Sequence, residues 1–337
     1  MKKGVYIIAE AGVNHNGSIE IAKKLVDNAV TAGADCVKFQ TFTAENLVRK
    51  ESPKTPYQLN TTPKDESHYE MLKKLELTKK DQIDLFEYCK KKGINFMSTP
   101  YSFEDVDFLE KIGIDSFKIA SAQLTESPFL SYIARKNKPI FLSTGMAFFS
   151  EILNAVEKIR DFFSGELTVM QCTTNYPSRI QDANLNVIHS LRSIPNIKVG
   201  YSDHVTNNLA CIAAVAMGVT SVEKHFTIDK NMPGPDHSSS LNCDDFKTLV
   251  NDIRLVEKSL GLYEKKPNEI EIKNSFAMKR SIVCKKDIKA GQKISNDMLC
   301  FKRPSSGLCP SNLEFFIGKT LNKNKKADQN LYYNDVN

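Results

Sequence analysis

Through the first three quarters of the chain, short apolar runs rich in β-branched and aromatic residues alternate with longer stretches whose apolar positions recur every three or four residues. The runs fall at 5–10 (VYIIAE), 36–41 (CVKFQT), 94–99 (INFMST), 116–121 (SFKIAS), 139–144 (PIFLST), 167–174 (LTVMQCTT), 197–203 (IKVGYSD) and 221–227 (SVEKHFT). Between them, IEIAKKLVDNAVTAG, LTKKDQIDLFEYCKKKG, SEILNAVEKIRDFF and NNLACIAAVAMG carry the helical period, several opened by Ser, Thr or Asn and closed by Gly. Eight strand–helix units within roughly 250 residues predict an α/β fold, a closed (β/α)8 TIM barrel. An open doubly wound sheet would place a glycine-rich phosphate turn after its first strand. AEAGVNHNG is not such a turn.

The pattern changes after LVEKSLG (255–261). KKPNEIEIKNSFAMK is polar with no apolar period and reads as a linker. Short extended runs then return in RSIVCKKDIKAGQKISNDMLCFKRPSSG. The chain is therefore divided into a barrel over 1–262, a linker over 263–279 and a small, mainly β domain over 280–337. A piece of about sixty residues is marginal for an independent core, so it is expected to dock on the barrel or on a partner's barrel.

Composition narrows the partners. The net charge of +6 is modest and spread along the chain, with no basic stripe and interleaved aromatics of the kind a nucleic-acid groove needs. A small-molecule partner is expected instead. The apolar run in MKKGVYIIAEAG is too short for a signal peptide and is interrupted by Glu10, and no segment reaches membrane-spanning length. The eight cysteines lack a CxxC pair, so they are expected to be reduced and the protein cytoplasmic.

In a closed barrel of this kind the chemistry sits at the carboxyl ends of the strands. Those ends read Glu10; Lys38 and Gln40; Ser98 and Thr99; Lys118 and Ser121; Ser143 and Thr144; Thr173 and Thr174; Ser202, Asp203 and His204; Glu223 and His225. Every strand finishes in polar residues, which argues for one polar pocket. Lys38 and Lys118, with the hydroxyls of Thr99, Ser121, Ser143 and Ser202, suit a phosphate or carboxylate. A lone lysine more commonly snorkels to solvent, but two inside apolar strands of one barrel favour the site.

His204 and His225 end neighbouring strands, so their imidazoles can meet. A single histidine there is more often a packed core residue. The pair, with Asp203, Glu223 and Asp236 nearby in sequence, favours a divalent metal with positions left open for water and substrate. Oxygen-rich surroundings suit Mn²⁺, while the ligand types also admit Zn²⁺, Co²⁺ and Fe²⁺. Asn14 and His15 either touch a ligand or cap the following helix, and Asn16 and Ser18 favour capping. His68 and His189 read as surface or helix-packing residues.

The motifs IIAEAGVNHNGS, DCVKFQTF, FMSTPYSFEDVDFLE, FKIASAQL, FLSTGMA, GYSDH, EKHFTIDKNMPGPDH and KRPSSG, in this order, resemble the bacterial N-acetylneuraminate (sialic acid) synthase family. The C-terminal segment resembles the antifreeze-protein-like (SAF) domain that those enzymes carry. The resemblance implies a transferase that condenses phosphoenolpyruvate with an N-acetylated amino-hexose such as N-acetylmannosamine, giving a nonulosonic acid and phosphate by C–O cleavage. It implies that His204 and His225 ligate a metal, usually Mn²⁺, and that Lys38, Thr99, Lys118, Ser121, Ser143 and Ser202 hold phosphoenolpyruvate beside Gln40. Glu10 and Asp236 would bind sugar hydroxyls, with Tyr176 walling the pocket. Arg303 would reach the N-acetyl end of the sugar in the other subunit of a domain-swapped homodimer.

Two departures bear on the sugar: SAQ puts Gln123 where the family commonly has a carboxylate, and TTNYP puts Thr174 where some sialic acid synthases have Asn. Both are expected beside the sugar substituents. TPYQLNTTPKDES (55–67) resembles a loop of legionaminic acid synthases, whose sugar is 2,4-diacetamido-2,4,6-trideoxymannose, and this is the alternative substrate. An enzyme for phosphorylated sugars would need a further basic cluster, and none is evident. A non-catalytic carbohydrate-binding or ice-surface protein would not need Lys38, Lys118, His204, His225 and Asp236 together.

Overall fold

In the computed structural model, which describes residues 4–337, eight parallel strands pair in chain order and close on themselves. They are β1 (Tyr6–Gly12), β2 (Cys36–Thr41), β3 (Asn95–Pro100), β4 (Phe117–Ile119), β5 (Ile140–Ser143), β6 (Leu167–Cys172), β7 (Lys198–Asp203) and β8 (Ser221–His225). The expected strands are thus all present; those read at 116–121, 139–144, 167–174 and 221–227 are shorter, because their last residues turn into the loops. Glycine ends the helices Ile19–Ala32 and Lys79–Lys92, with Gly33 and Gly93 at φ of 82° and 73°, a left-handed turn that costs a side-chain-bearing residue energy.

Alternation along each strand builds two different interiors. One face, including Ile7, Val37, Phe117 and Val222, packs beneath the outer helices in the main apolar core. The other face points into the barrel, where Ile8, Cys36, Met97, Phe141 and Met170 form a buried plug. Two residues further along the same strands stand Glu10, Lys38, Thr99, Ser143 and Cys172. The period of two therefore makes the plug the floor and these residues the next layer above it.

Between β2 and β3 the chain makes three short helices, Ala44–Leu47, Pro56–Thr61 and His68–Lys74. They gather a separate apolar cluster around Val13, Phe42, Met71, Leu72 and Leu75. No helix among the described residues is long and apolar enough to cross a membrane.

The chain divides into two compact units at Gly261 and Leu262. The segment read as a linker contains a helix, Glu269–Met278, that buries none of its residues. A capping box between Asn268 and Glu271 starts it locally, so it needs no apolar period. The second unit then forms an antiparallel pair, β9 (Ser281–Cys284) and β10 (Leu299–Lys302), around Ile282, Cys284, Ile288, Leu299, Phe316 and Leu331.

Candidate active site

The strand ends enclose a cavity of about 270 Å³, just under the usual range for small-ligand sites. Glu10, Lys38, Gln40, Thr99, Lys118, Ser121, Ser143, Tyr176, Ser202, His204, His225 and Asp236 all line it. Lys38 and Lys118 do not snorkel: each is at most 4 % exposed. Lys38 Nζ lies 2.5 Å from Glu10 Oε2, 3.8 Å from Glu223 Oε2 and 3.3 Å from Thr99 Oγ1. Lys118 Nζ lies 3.4 Å from Glu223 Oε1, which also accepts a bond from Ser202 Oγ at 3.0 Å.

These charges are unequally matched. Burial would depress the Lys38 ammonium, but Glu10 and Glu223 outweigh it and raise its pKa. Lys118 has only Glu223 as a strong partner, and burial wins, so its pKa falls. Burial pushes the Glu10 carboxyl up to about 7 against the pull of Lys38. For Glu223, Lys118 and Lys38 overcome burial and hold the carboxyl near about 2. An incoming anion would supply the negative charge that Lys118 lacks. The Ser143 hydroxyl, buried and without a hydrogen-bond partner, stands ready for the same ligand.

Backbone geometry brings the loops close. A Cβ at Gly145 would fall 2.1 Å from Thr174 Oγ1 and 2.9 Å from Ser121 Oγ, so only glycine fits there. Ser121 Oγ accepts a hydrogen bond from the Gly145 amide at 2.9 Å. At Gly12, a Cβ would meet Glu10 Oε1 at 3.1 Å, Gln40 Nε2 at 3.6 Å and Asp236 Oδ2 at 3.7 Å. Three polar groups from three separate segments thus converge over one spot.

The two histidines meet as their strand positions require, with ring centroids 5.3 Å apart. Tyr176 packs on His204 at 4.1 Å and edge-on to His225 at 5.6 Å. His204 Nδ1 donates to the Thr173 carbonyl at 2.6 Å, which fixes the ring's orientation; burial would lower its pKa, but Cys172 and that carbonyl outweigh burial and raise it. His225 Nδ1 has no hydrogen-bond partner and lies 4.0 Å from Asp236 Oδ2. Burial raises the Asp236 carboxyl to about 6 and holds the His225 imidazole well below its ordinary value, hence neutral. Two facing imidazoles, one oriented by a carbonyl and one with its Nδ1 unpartnered, suit a divalent cation. Among the described residues no group of three or more His, Cys, Asp or Glu forms a fuller metal cage, so water or substrate would complete the shell.

Several expectations need correction. Asp203 points out of the barrel toward Lys224, whereas Glu223 points in. Alternation from His225 assigns Glu223 to the inner face and was the signal for its part in the site. Gln123 is buried and turns its side-chain oxygen back toward the Ala120 amide, away from the cavity, although Thr174 does line it. His68, read as a surface or packing residue, lines the cavity with Met71, Leu72 and Leu75. No strand-end rule could place it, because the short helices after β2 fold over the mouth. His15 accepts from the Gly17 amide at 3.0 Å and Ser18 caps the next helix, so this loop turns inward for structure. His189 is exposed, in the setting read for it. Arg303 is exposed in the second unit.

A barrel whose strand ends combine paired buried lysines, hydroxyls, carboxylates and two facing imidazoles belongs to an enzyme acting on small anionic substrates. The chain is a member of the NeuB family, whose model matches residues 25–265, and residues 279–337 match the SAF domain. It is 45% identical over 331 residues to the N,N'-diacetyllegionaminic acid synthase of Campylobacter jejuni, spanning 98% of this chain and 99% of that one. It is 41% identical to the enzyme of the same name from Legionella pneumophila, over 98% of this chain and 94% of that one. The crystal structure of the N-acetylneuraminic acid synthetase of Leptospira borgpetersenii, bound to citrate, superposes with a TM-score of 0.72 at 30% identity, covering 81% of this chain and 90% of that one. The protein is therefore an enzyme of this group of condensing synthases.

Proposed function

We propose that this enzyme condenses phosphoenolpyruvate with 2,4-diacetamido-2,4,6-trideoxymannose to give N,N'-diacetyllegionaminic acid and phosphate. One observation carries the choice of sugar: Val13, Leu47, Val48, Met71, Leu72 and Leu75 bring an apolar patch to the cavity lining, beside the polar Tyr57, Gln58 and His68. Such a patch accommodates the C6 methyl and the second acetamido methyl of the diacetamido sugar. N-acetylmannosamine would place hydroxyls against those apolar side chains, a less favourable exchange. The relatives of the same name support this reading.

Lys38 and Lys118, with the hydroxyls of Thr99, Ser121, Ser143 and Ser202, would bind the phosphate and carboxylate of phosphoenolpyruvate, and Gln40 would lie beside them. Glu10 and Asp236 would orient the open-chain sugar, with Tyr176 as its wall. A divalent cation, Mn²⁺ by preference, held by His204 and His225 would supply Lewis acidity toward the sugar's aldehyde oxygen. The methylene carbon of phosphoenolpyruvate bonds to the aldehyde carbon, water adds to the carbon bearing the phosphate, and the C–O bond to phosphate then breaks. Glu10 is the group best suited to take the water's proton, since its carboxyl is held near neutrality while Glu223 is committed to two lysines and Ser202.

The sugar is tested by comparing kcat/KM for the two candidates under saturating phosphoenolpyruvate. The diacetamido sugar is expected to lead by about tenfold or more. Equal or reversed values would contradict the assignment. From the family resemblance we further propose that Arg303 serves the sugar's N-acetyl group in a domain-swapped homodimer. Arg303→Ala is then expected to raise the sugar's KM roughly tenfold with the KM for phosphoenolpyruvate unchanged, the loss of one charge-assisted contact. An unchanged sugar KM would remove that role.

A further inference from the structure

We propose that the ion pair Asp203–Lys224, on the outer face of the barrel wall, is a positioning device that sets the spacing of His204 and His225. The inference rests on the reading that these two histidines hold a divalent cation. Asp203 and Lys224 are directly opposite each other in the β7–β8 register, and each immediately precedes one of the histidines. Alternation turns the pair outward and both imidazoles inward, so the clamp lies one residue behind the site it would serve.

Both side chains are at most 1 % exposed, and Lys224 Nζ lies 2.6 Å from Asp203 Oδ2. Lys224 also donates to the carbonyls of Val205 and, at 3.0 Å, Asn207. Asp203 Oδ1 accepts from the Tyr201 hydroxyl at 2.8 Å and the Val205 amide at 3.0 Å, and Oδ2 accepts from Cys211 Sγ at 3.2 Å. The backbone is therefore gripped on both sides of His204. The same stretch holds the loop beneath Tyr176, because the Ser178 amide donates to the His204 carbonyl at 2.8 Å.

Stability alone does not account for this arrangement. A buried ion pair is commonly no better than well-packed apolar residues of similar volume. Much of the outer barrel face uses apolar packing, and its other buried polar groups, Thr41, Ser98, Gln82 and Gln171, are uncharged. What a fully bonded polar network adds is a single geometry, since neither partner can shift without stranding a charge. A slip of one residue between β7 and β8 would turn one imidazole out of the cavity.

The test is calorimetric titration of Mn²⁺ into metal-stripped full-length protein, alongside melting temperature and turnover. The informative variant is D203N/K224M, which removes both charges yet keeps an Oδ1 acceptor for Tyr201 and Val205. It is expected to stay folded at a lowered melting temperature, since the Val205 and Asn207 carbonyls lose their donor, to bind Mn²⁺ roughly tenfold more weakly at a temperature where it is fully folded, and to lose kcat while the KM for phosphoenolpyruvate holds. Asp203→Glu, which keeps the charge but displaces it by one methylene, is expected to weaken Mn²⁺ binding in the same direction. Native Mn²⁺ affinity in both variants would overturn the proposal and leave the pair a structural role. His225→Ala separates the two ideas: if the native protein binds Mn²⁺ and this variant does not, the histidine reading stands whatever the pair does. If the native protein binds no Mn²⁺, both readings fall together.

Discussion

His225→Ala is expected to abolish nonulosonic acid formation, with kcat/KM falling by about 10²–10³ or more, while the circular dichroism spectrum and melting temperature stay near native values. The fold should survive because the imidazole supports little of it. His225 Nδ1 has no hydrogen-bond partner, and the ring's neighbours are His204, Tyr176 and the Asp236 carboxyl, 4.0 Å away. Truncation strands no buried donor or acceptor, the usual source of a large stability loss. The remaining imidazole, His204, would still be oriented by the Thr173 carbonyl but would have lost its counterpart across the cavity. Turnover within threefold of native would remove the two-histidine centre from the mechanism.

Glu10→Gln is expected to lower kcat by roughly 10²–10⁴, with smaller changes in either KM. Glutamine has the same shape and can still accept a hydrogen bond from Lys38, but it takes up no proton. Its position keeps it near Gly12, Gln40 and Asp236, so substrate placement should be largely retained. The substitution also lifts the partial neutralisation of Lys38, leaving that lysine more available to an anion. The KM for phosphoenolpyruvate should accordingly hold or fall. A kcat near native, with only the sugar KM raised, would make Glu10 a sugar ligand and move the proton-accepting role elsewhere. Steady-state kinetics in both substrates separates these outcomes.

Much of this site was legible because a barrel turns strand position into spatial position. Once eight strands are placed, position at the strand ends gathers Lys38, Thr99, Lys118, Ser143, Ser202, His204 and His225 around one axis, and alternation separates the inner face from the outer. The same rule, pressed one step further, separates Glu223 from Asp203 and Lys224. What it does not reach lies between strands. His68, Met71 and Leu72 enter the cavity on short helices whose course over the mouth depends on a tertiary cluster with Val13 and Phe42. Gln123 sits one turn beyond β4, where a local hydrogen bond to the Ala120 amide decides its direction, and residue type alone does not show that. The helix over Glu269–Met278 escapes a periodicity argument for a simpler reason: it buries nothing, so it carries no apolar stripe.

The same division explains why chemistry is easier to read here than substrate identity. The proposed anion-binding layer comes from strand ends whose positions the barrel dictates, whereas most of the proposed sugar wall comes from a segment between β2 and β3 that can vary without disturbing the barrel. Family members can therefore share one reaction and differ in their sugars, as the sialic, legionaminic and pseudaminic acid synthases among the relatives do by name.

The most direct test of the account is phosphate release from phosphoenolpyruvate by metal-stripped protein, with and without restored Mn²⁺, in the presence and absence of 2,4-diacetamido-2,4,6-trideoxymannose. The account predicts release only when both metal and sugar are present, in step with formation of the nonulosonic acid. Release without sugar, or undiminished release without metal, would contradict it.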